Sequence, residues 1–103
     1  MHKILVVLPA LNEEKTIGDI LDKISEVKIS DANIAQIVID DGSTDSTAKI
    51  AREKGIRVLS HERNLGVGAA FQSGLREAIL DGFDILVSID SDGQFDPQYI
   101  PDL

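Results

Sequence analysis

Cysteine is absent from this chain, which excludes disulfides and thiolate metal sites and is compatible with the cytosol. Basic residues are scarce. Ten lysines and arginines stand against 18 aspartates and glutamates, for a net charge of −8. A protein that holds nucleic acid non-specifically needs a basic face, so that class is disfavoured. The acidity itself serves solubility. Long apolar runs are also missing. Ile4 to Leu8, behind Met1-His2-Lys3, is too short for a signal-peptide core, and nothing in the sequence is long enough to span a bilayer. Membrane contact, if there is any, belongs to a surface or to further sequence.

What is present suits one soluble globular domain, read as residues 1–103, with a modest core. Ile4-Leu5-Val6-Val7-Leu8 has the continuous apolar character of a strand buried on both faces, and Pro9 stops it. Asn12-Glu13-Glu14 suits a helix start. Ile17, Ile20, Leu21 and Ile24 follow at helical spacing, predicting a helix over 14–27. Ile34 to Ile39 reads as a second strand. Ser43 or Asp45 is placed to cap a second helix that runs to Lys54 and ends at Gly55. Ile56 to Leu59 is a short third strand. Phe71, Leu75, Ala78 and Ile79 give a third helix one apolar stripe, with Gly82 near its end. Ile85 to Ile89 is a fourth strand, and Pro97 suits the first turn of another helix. This β-α alternation predicts an open α/β sheet of parallel strands joined by right-handed crossovers.

Two acidic loops follow strands directly: Asp40-Asp41-Gly42-Ser43-Thr44-Asp45 and Asp90-Ser91-Asp92-Gly93-Gln94. In an open α/β sheet the carboxyl ends of the strands form the ligand crevice. Closely spaced carboxylates repel unless a cation sits among them, and hard cations such as Mg²⁺ or Mn²⁺ take oxygen ligands and bridge to phosphates. A metal-bound nucleotide or phosphate ester is the leading reading. The first loop suits a base, ribose or metal contact, and also a plain strand-to-helix turn capped by Asp45. An EF-hand register on Gly93 fails, since it puts Ser88 first and Tyr99 where a bidentate glutamate belongs. A phosphoryl-accepting aspartate needs a positioned lysine, and none follows Lys54. Asn64-Leu65-Gly66-Val67-Gly68-Ala69 is glycine-rich but is neither a dinucleotide nor a Walker A fingerprint. Its glycines suit positive φ and close helix packing. Arg63 is a candidate phosphate contact or a solvated cation. His2 and His61 read as ordinary surface or loop residues.

The order of the pieces is more specific than any one of them. Val7-Leu8-Pro9-Ala10-Leu11-Asn12-Glu13-Glu14, then Val38 to Asp45, then Arg63 to Ala69, then Asp90-Ser91-Asp92-Gly93-Gln94-Phe95-Asp96-Pro97 resembles a family 2 inverting glycosyltransferase of GT-A fold. The nearest subgroup is the polyprenol-phosphate, dolichol-phosphate-mannose-synthase-like transferases. The resemblance implies a Rossmann-like sheet in the order 3-2-1-4, with its crevice between strands 1 and 4. It also implies a nucleotide-sugar site at Pro9, Ala10, Leu11, Glu13, Asp41, Arg63, Gly68, Asp90 and Ser91. Asp90, Asp92 and Gln94 would hold Mg²⁺ or Mn²⁺. Leu11 stands where the family often has an aromatic residue. The implied partners are a nucleotide diphosphate sugar and a polyprenyl-phosphate or glycan acceptor. The implied place is the cytoplasm, at the cytoplasmic face of a membrane. In that family the acceptor half and its catalytic base lie past the D-x-D region, here beyond Leu103. A non-catalytic nucleotide-binding fragment is therefore the alternative. Strand 4, at the edge of such a sheet, is expected to pair two copies into a homodimer.

Overall fold

In a computed structural model, residues 2–89 are described. They form four strands and three helices: β1 (His2–Ala10), α1 (Ile17–Ser25), β2 (Ala32–Asp40), α2 (Thr47–Glu53), β3 (Arg57–Ser60), α3 (Val67–Leu80) and β4 (Ile85–Ser88). All pairings are parallel, and the sheet order is β3-β2-β1-β4. Val7 sits opposite Ile37 on one side and Ser88 on the other, so β1 is the central strand. The expected alternation and strand order are both found. The expectation for Pro97 lies outside the described residues.

Strand β1 is apolar throughout because both faces are covered. Val6, Leu8 and Ala10 point to a layer with Ile17, Ile20, Leu21 and Ile24 of α1 and Ala51 of α2. Leu5 and Val7 point the other way, to Ile37 and Ile39 of β2 and Ala70 and Ala78 of α3. Each fully buried Leu, Ile or Val is worth about 1.5–3 kcal/mol of transfer free energy, so these two layers hold the sheet and its helices together.

Two helices differ from the sequence expectation. Helix α1 starts at Ile17 rather than near residue 14, because Asn12, Glu13 and Glu14 are tied to the loop after β2. Asn12 takes a left-handed φ of 53°, incompatible with a continuous helix there. Of the predicted α3 stripe of Phe71, Leu75, Ala78 and Ile79, Ala78 is buried and the three larger residues are exposed, Ile79 keeping 71% of its surface. The buried residues are Ala70, Gly74 and Ala78, at four-residue intervals. The reason is proximity. A Cβ on Gly74 would lie 2.5 Å from Cγ1 of Val7, so α3 rests on β1 along a line of small residues and its larger side chains flank that contact. At the far end of α3, Arg57 of β3 pairs with Glu77 and Asp81, fixing the helix to the sheet edge.

Candidate functional site

The carboxyl ends of β1 and β2 carry a cleft of about 340 Å³, lined by Pro9, Ala10, Leu11, Glu13, Asp41, Asn64, Gly66, Val67 and Ala70. Its walls come from the ends of two neighbouring strands, the loop after β3 and the first turns of α3.

Two sets of cross-links shape it. The first joins the loops after β1 and β2. The Asn12 N–H donates to Oγ of Ser43 (2.9 Å), the Glu13 N–H to Oγ1 of Thr47 (2.9 Å), and the Glu14 N–H to Oδ2 of Asp45 (3.3 Å). In return the Thr44 N–H donates to Oδ1 of Asn12 and the Ser46 N–H to Oε2 of Glu14. Asp45 also accepts from the N–H and the hydroxyl of Thr47. Ser46 occupies the cap position of α2 without a side-chain bond, so the capping contact comes from Asp45 one residue earlier. Burial alone would raise the Asp45 carboxyl, but the hydrogen bonds from Thr47 and Glu14 outweigh it and hold the group below its usual range.

Asp41 is the centre of the second set. Its N–H donates to the carbonyl of Ala10 (2.9 Å), joining the ends of the two strands. Oδ1 accepts from Nδ1 of His61 (2.8 Å) and the Leu65 N–H (2.9 Å), and Oδ2 accepts from the Gly66 N–H (2.8 Å). Burial pushes this carboxyl up. The bonds from His61, Leu65 and Gly66, with the attraction of the imidazole, push harder and hold it below its ordinary range. Asp41 is therefore a buried, ionised carboxylate that anchors the loop forming the opposite wall. Gly66 presents its N–H with a φ of 99°, which a side chain would strain. Gly42 has a φ of 84°, and a Cβ there would lie 2.7 Å from the backbone of Arg63 and Asn64, so the two loops touch main chain to main chain.

Pro9, Ala10, Leu11, Glu13 and Asp41 are thus brought together as the sequence suggested. Arg63 and Gly68 are not among the lining residues. Arg63 contributes backbone against Gly42 while the residue is exposed, and Gly68 is an exposed position in the first turn of α3 where a Cβ would meet nothing. The described lining lies over β1, β2 and α3; the residues after β4, which would complete the expected crevice between β1 and β4, lie outside the described residues. Asp90, Ser91, Asp92 and Gln94 lie outside the described residues. Among the described residues no group of three potential metal-ligating side chains occurs. The backbone carries β4 toward this end of the sheet, with the Ile89 N–H on the carbonyl of Val7 (2.9 Å).

His61 is a correction to the sequence reading. It is no surface residue. Its side chain is 9% exposed, and it bridges Asp41 to Oγ of Ser73 through Nε2 (2.8 Å). Asn64, Val67 and Ala70 were also not singled out, although Asn64 and Val67 belong to the glycine-rich segment.

A parallel sheet of this order, with an acidic cleft at its carboxyl edge, is a Rossmann-like arrangement. The chain belongs to glycosyl transferase family 2, whose pattern matches residues 5–103. It is 35% identical over 114 residues to the UDP-N-acetylglucosamine–dolichyl-phosphate N-acetylglucosaminyltransferase of Methanococcus voltae, covering 94% of this chain and 44% of that protein. Its fold matches the crystal structure of glucosyl-3-phosphoglycerate synthase from Mycobacterium tuberculosis in complex with Mn²⁺, UDP and glucosyl-3-phosphoglycerate. There the TM-score is 0.76 and the identity 38%, over 97% of this chain and 37% of that one. A mannosyltransferase from Pyrobaculum calidifontis in complex with GDP-mannose and Mn²⁺ superposes with a TM-score of 0.74 at 26% identity, over 86% of this chain and 27% of that one. The fold is that of the GT-A glycosyltransferases. The chain spans 38% and 44% of the length of the first two curated relatives it matches.

Proposed function

We propose that this chain binds the nucleotide diphosphate of a sugar donor, and that the protein it represents transfers the sugar to a polyprenyl phosphate with inversion. One observation carries the reading: an ionised, threefold-anchored Asp41 stands in a cleft beside Pro9, Ala10, Leu11 and Glu13 at the strand ends. A carboxylate so held is an acceptor for an N–H of the base or a hydroxyl of the ribose, and it needs no reorganisation to act. Glu13, its own N–H fixed by Thr47, offers a second acceptor on the facing wall. Leu11 gives the base an apolar contact in place of an aromatic ring.

Asp90, Asp92 and Gln94 would hold a divalent cation, Mg²⁺ or Mn²⁺. Their all-oxygen donor set suits a hard ion, and Mn²⁺ accompanies the nucleotide in both solved structures named above. When bound, such an ion neutralises charge on the departing diphosphate. Ser91, between these ligands in sequence, would contact the donor, as the family resemblance implies. A base from the acceptor-binding part of a longer domain would deprotonate the acceptor.

The polyprenyl-phosphate acceptor is supported by the dolichyl-phosphate relative. With that acceptor, the place we propose is the cytoplasm, at the cytoplasmic face of a membrane. No helix among the described residues is long and apolar enough to cross a membrane. Pairing of two copies through β4 completes the proposal, since among the described residues β4 pairs only with β1.

Calorimetry with UDP and GDP, in Mn²⁺ and in chelator, tests the binding. Saturable binding strengthened by Mn²⁺ is the expected result, and no binding of either nucleotide would refute the proposal. Turnover of a sugar-nucleotide panel separates a transferase from a module that only binds.

A further inference from the structure

The chain Asp41–His61–Ser73 joins three elements that are distant in sequence. Asp41 directly follows β2, His61 follows β3, and Ser73 lies in the second turn of α3. Nδ1 of His61 is 2.8 Å from Oδ1 of Asp41, and Nε2 is 2.8 Å from Oγ of Ser73. The backbone fixes the ring's origin, since the His61 N–H donates to the carbonyl of Asp40 (2.8 Å). Both the imidazole and the carboxylate are buried, at 9% and 7% exposure.

An ionised carboxylate only accepts hydrogen bonds, so the ring nitrogen facing Asp41 must carry the proton. In the neutral ring Nε2 is then an acceptor, and the Ser73 hydroxyl is placed to donate to it. A carboxylate offers about four lone-pair positions. At Asp41, Oδ1 uses two, for His61 and Leu65, and Oδ2 uses one, for Gly66. One position on Oδ2 remains for a donor from the cleft. The trio has the residue types of a nucleophilic triad, but Ser73 is not among the residues lining the cleft, so its hydroxyl has no substrate to attack.

We propose that His61 is a positioning residue for the donor nucleotide: locked between Asp41 and Ser73, it fixes the rotation of the Asp41 carboxylate so that the open position on Oδ2 faces a hydrogen-bond donor of the bound nucleotide. This rests on the nucleotide-binding function proposed above. Loss of the His61 contact lets the carboxylate turn about its remaining backbone bonds and misdirects that position.

The test uses the whole chain, with UDP and Mn²⁺ as probe. His61→Asn keeps an amide N–H where Nδ1 stood and retains the bond to Asp41. His61→Gln moves the amide to the place of Nε2, satisfying Ser73 but not Asp41. His61→Gln is expected to weaken UDP about tenfold or more, as loss of a bond to a charged group does, and His61→Asn to stay within about threefold of the parent chain. Nitrogen-15 NMR of the ligand-free protein should show the Nδ1–H tautomer, retained in Ser73→Ala because the Asp41 carboxylate sets it. An Nε2–H tautomer in the parent chain overturns the proposal whether or not any variant folds. UDP binding to His61→Gln as tight as to the parent chain overturns it while the nucleotide-binding function stands. Failure of the parent chain to bind UDP or GDP overturns both.

Discussion

Replacing Gly74 with alanine should destabilise the protein, although glycine-to-alanine in a helix is usually favourable. On an exposed helical surface the change gains about 1 kcal/mol, because glycine loses more backbone entropy on folding. Here the new methyl would lie 2.5 Å from Cγ1, 2.8 Å from Cγ2 and 3.2 Å from Cβ of Val7. Val7 cannot yield. It is fully buried in the central strand, with β2 and β4 paired on either side. Overpacking of this kind costs about 1–3 kcal/mol. Since α3 must lift from β1 to relieve it, the upper part of that range applies and exceeds the propensity gain. The net expectation is a loss of about 1–2 kcal/mol, or roughly 4–16 °C in melting temperature at 4–8 °C per kcal/mol. Urea denaturation with a two-state fit measures it. Gly68→Ala is the control, being in the same helix where a Cβ meets nothing within 4 Å, and it should be neutral or stabilising by up to about 1 kcal/mol. Val7→Ala should make Gly74→Ala less harmful, a positive coupling of about 1 kcal/mol in a double-mutant cycle. If Gly74→Ala alone is as stable as the parent chain, the close packing of α3 on β1 is refuted.

Three further outcomes follow from the same contacts. The Asp41 and Asp45 carboxyls are held below their ordinary value of 3.8, so the stability they confer is present above that pH and is lost as pH falls through their lower folded values; acid titration of urea midpoints checks this, and Asp41→Asn should flatten the acid limb. Thr47→Ala removes the hydroxyl that accepts from Glu13 and donates to Asp45, and it should cost about 1–3 kcal/mol in denaturant unfolding because buried partners are left unsatisfied. Exposed Ile79, Leu80 and Ile85 beside the outer strand β4 should drive self-association; light scattering across a concentration series should show a dimer, and a strictly monomeric species would refute it.

Legibility in the sequence tracked the physical signal available. Strand β1 was plain because burial on both faces demands an unbroken apolar run, and α1 because its four isoleucine and leucine positions share one face. The strand order needed only the alternation and the family resemblance. Helix α3 misled because hydrophobicity was taken as the marker of burial. Where a helix lies very close to a sheet, the buried line is the one with small side chains, and Ala70, Gly74 and Ala78 carried that signal at four-residue spacing. The start of α1 was misplaced because Asn12 to Glu14 bond to residues about thirty positions away, which no local pattern reports. His61 was passed over for the same reason. A single histidine in a polar loop has no periodicity, and its partners lie 20 residues before it and 12 after it. Asp41 was found through its place after a strand, but its role as anchor of the opposite wall became visible only in the fold.

That anchoring role bears on how so acidic a chain would take an anionic donor. Among the described residues lining the cleft, Glu13 and Asp41 are the charged ones, and both are negative. Arg63, the cation nearest in sequence, is exposed and outside the lining. Two like charges about 4 Å apart near a protein surface repel by roughly 4 kcal/mol, enough to cancel about half of a micromolar affinity of about 8 kcal/mol. A nucleotide diphosphate can therefore occupy this cleft only if cationic charge arrives with it or its phosphates lie away from both carboxylates. The first route makes affinity depend on the divalent ion, and Asp92→Asn should reduce that dependence. The second leaves nucleoside recognition by Asp41 intact without metal. Calorimetry of UDP against uridine separates the two. A large Mn²⁺ effect on UDP with none on uridine supports the metal-borne route, and equal UDP affinity in Mn²⁺ and in chelator refutes it.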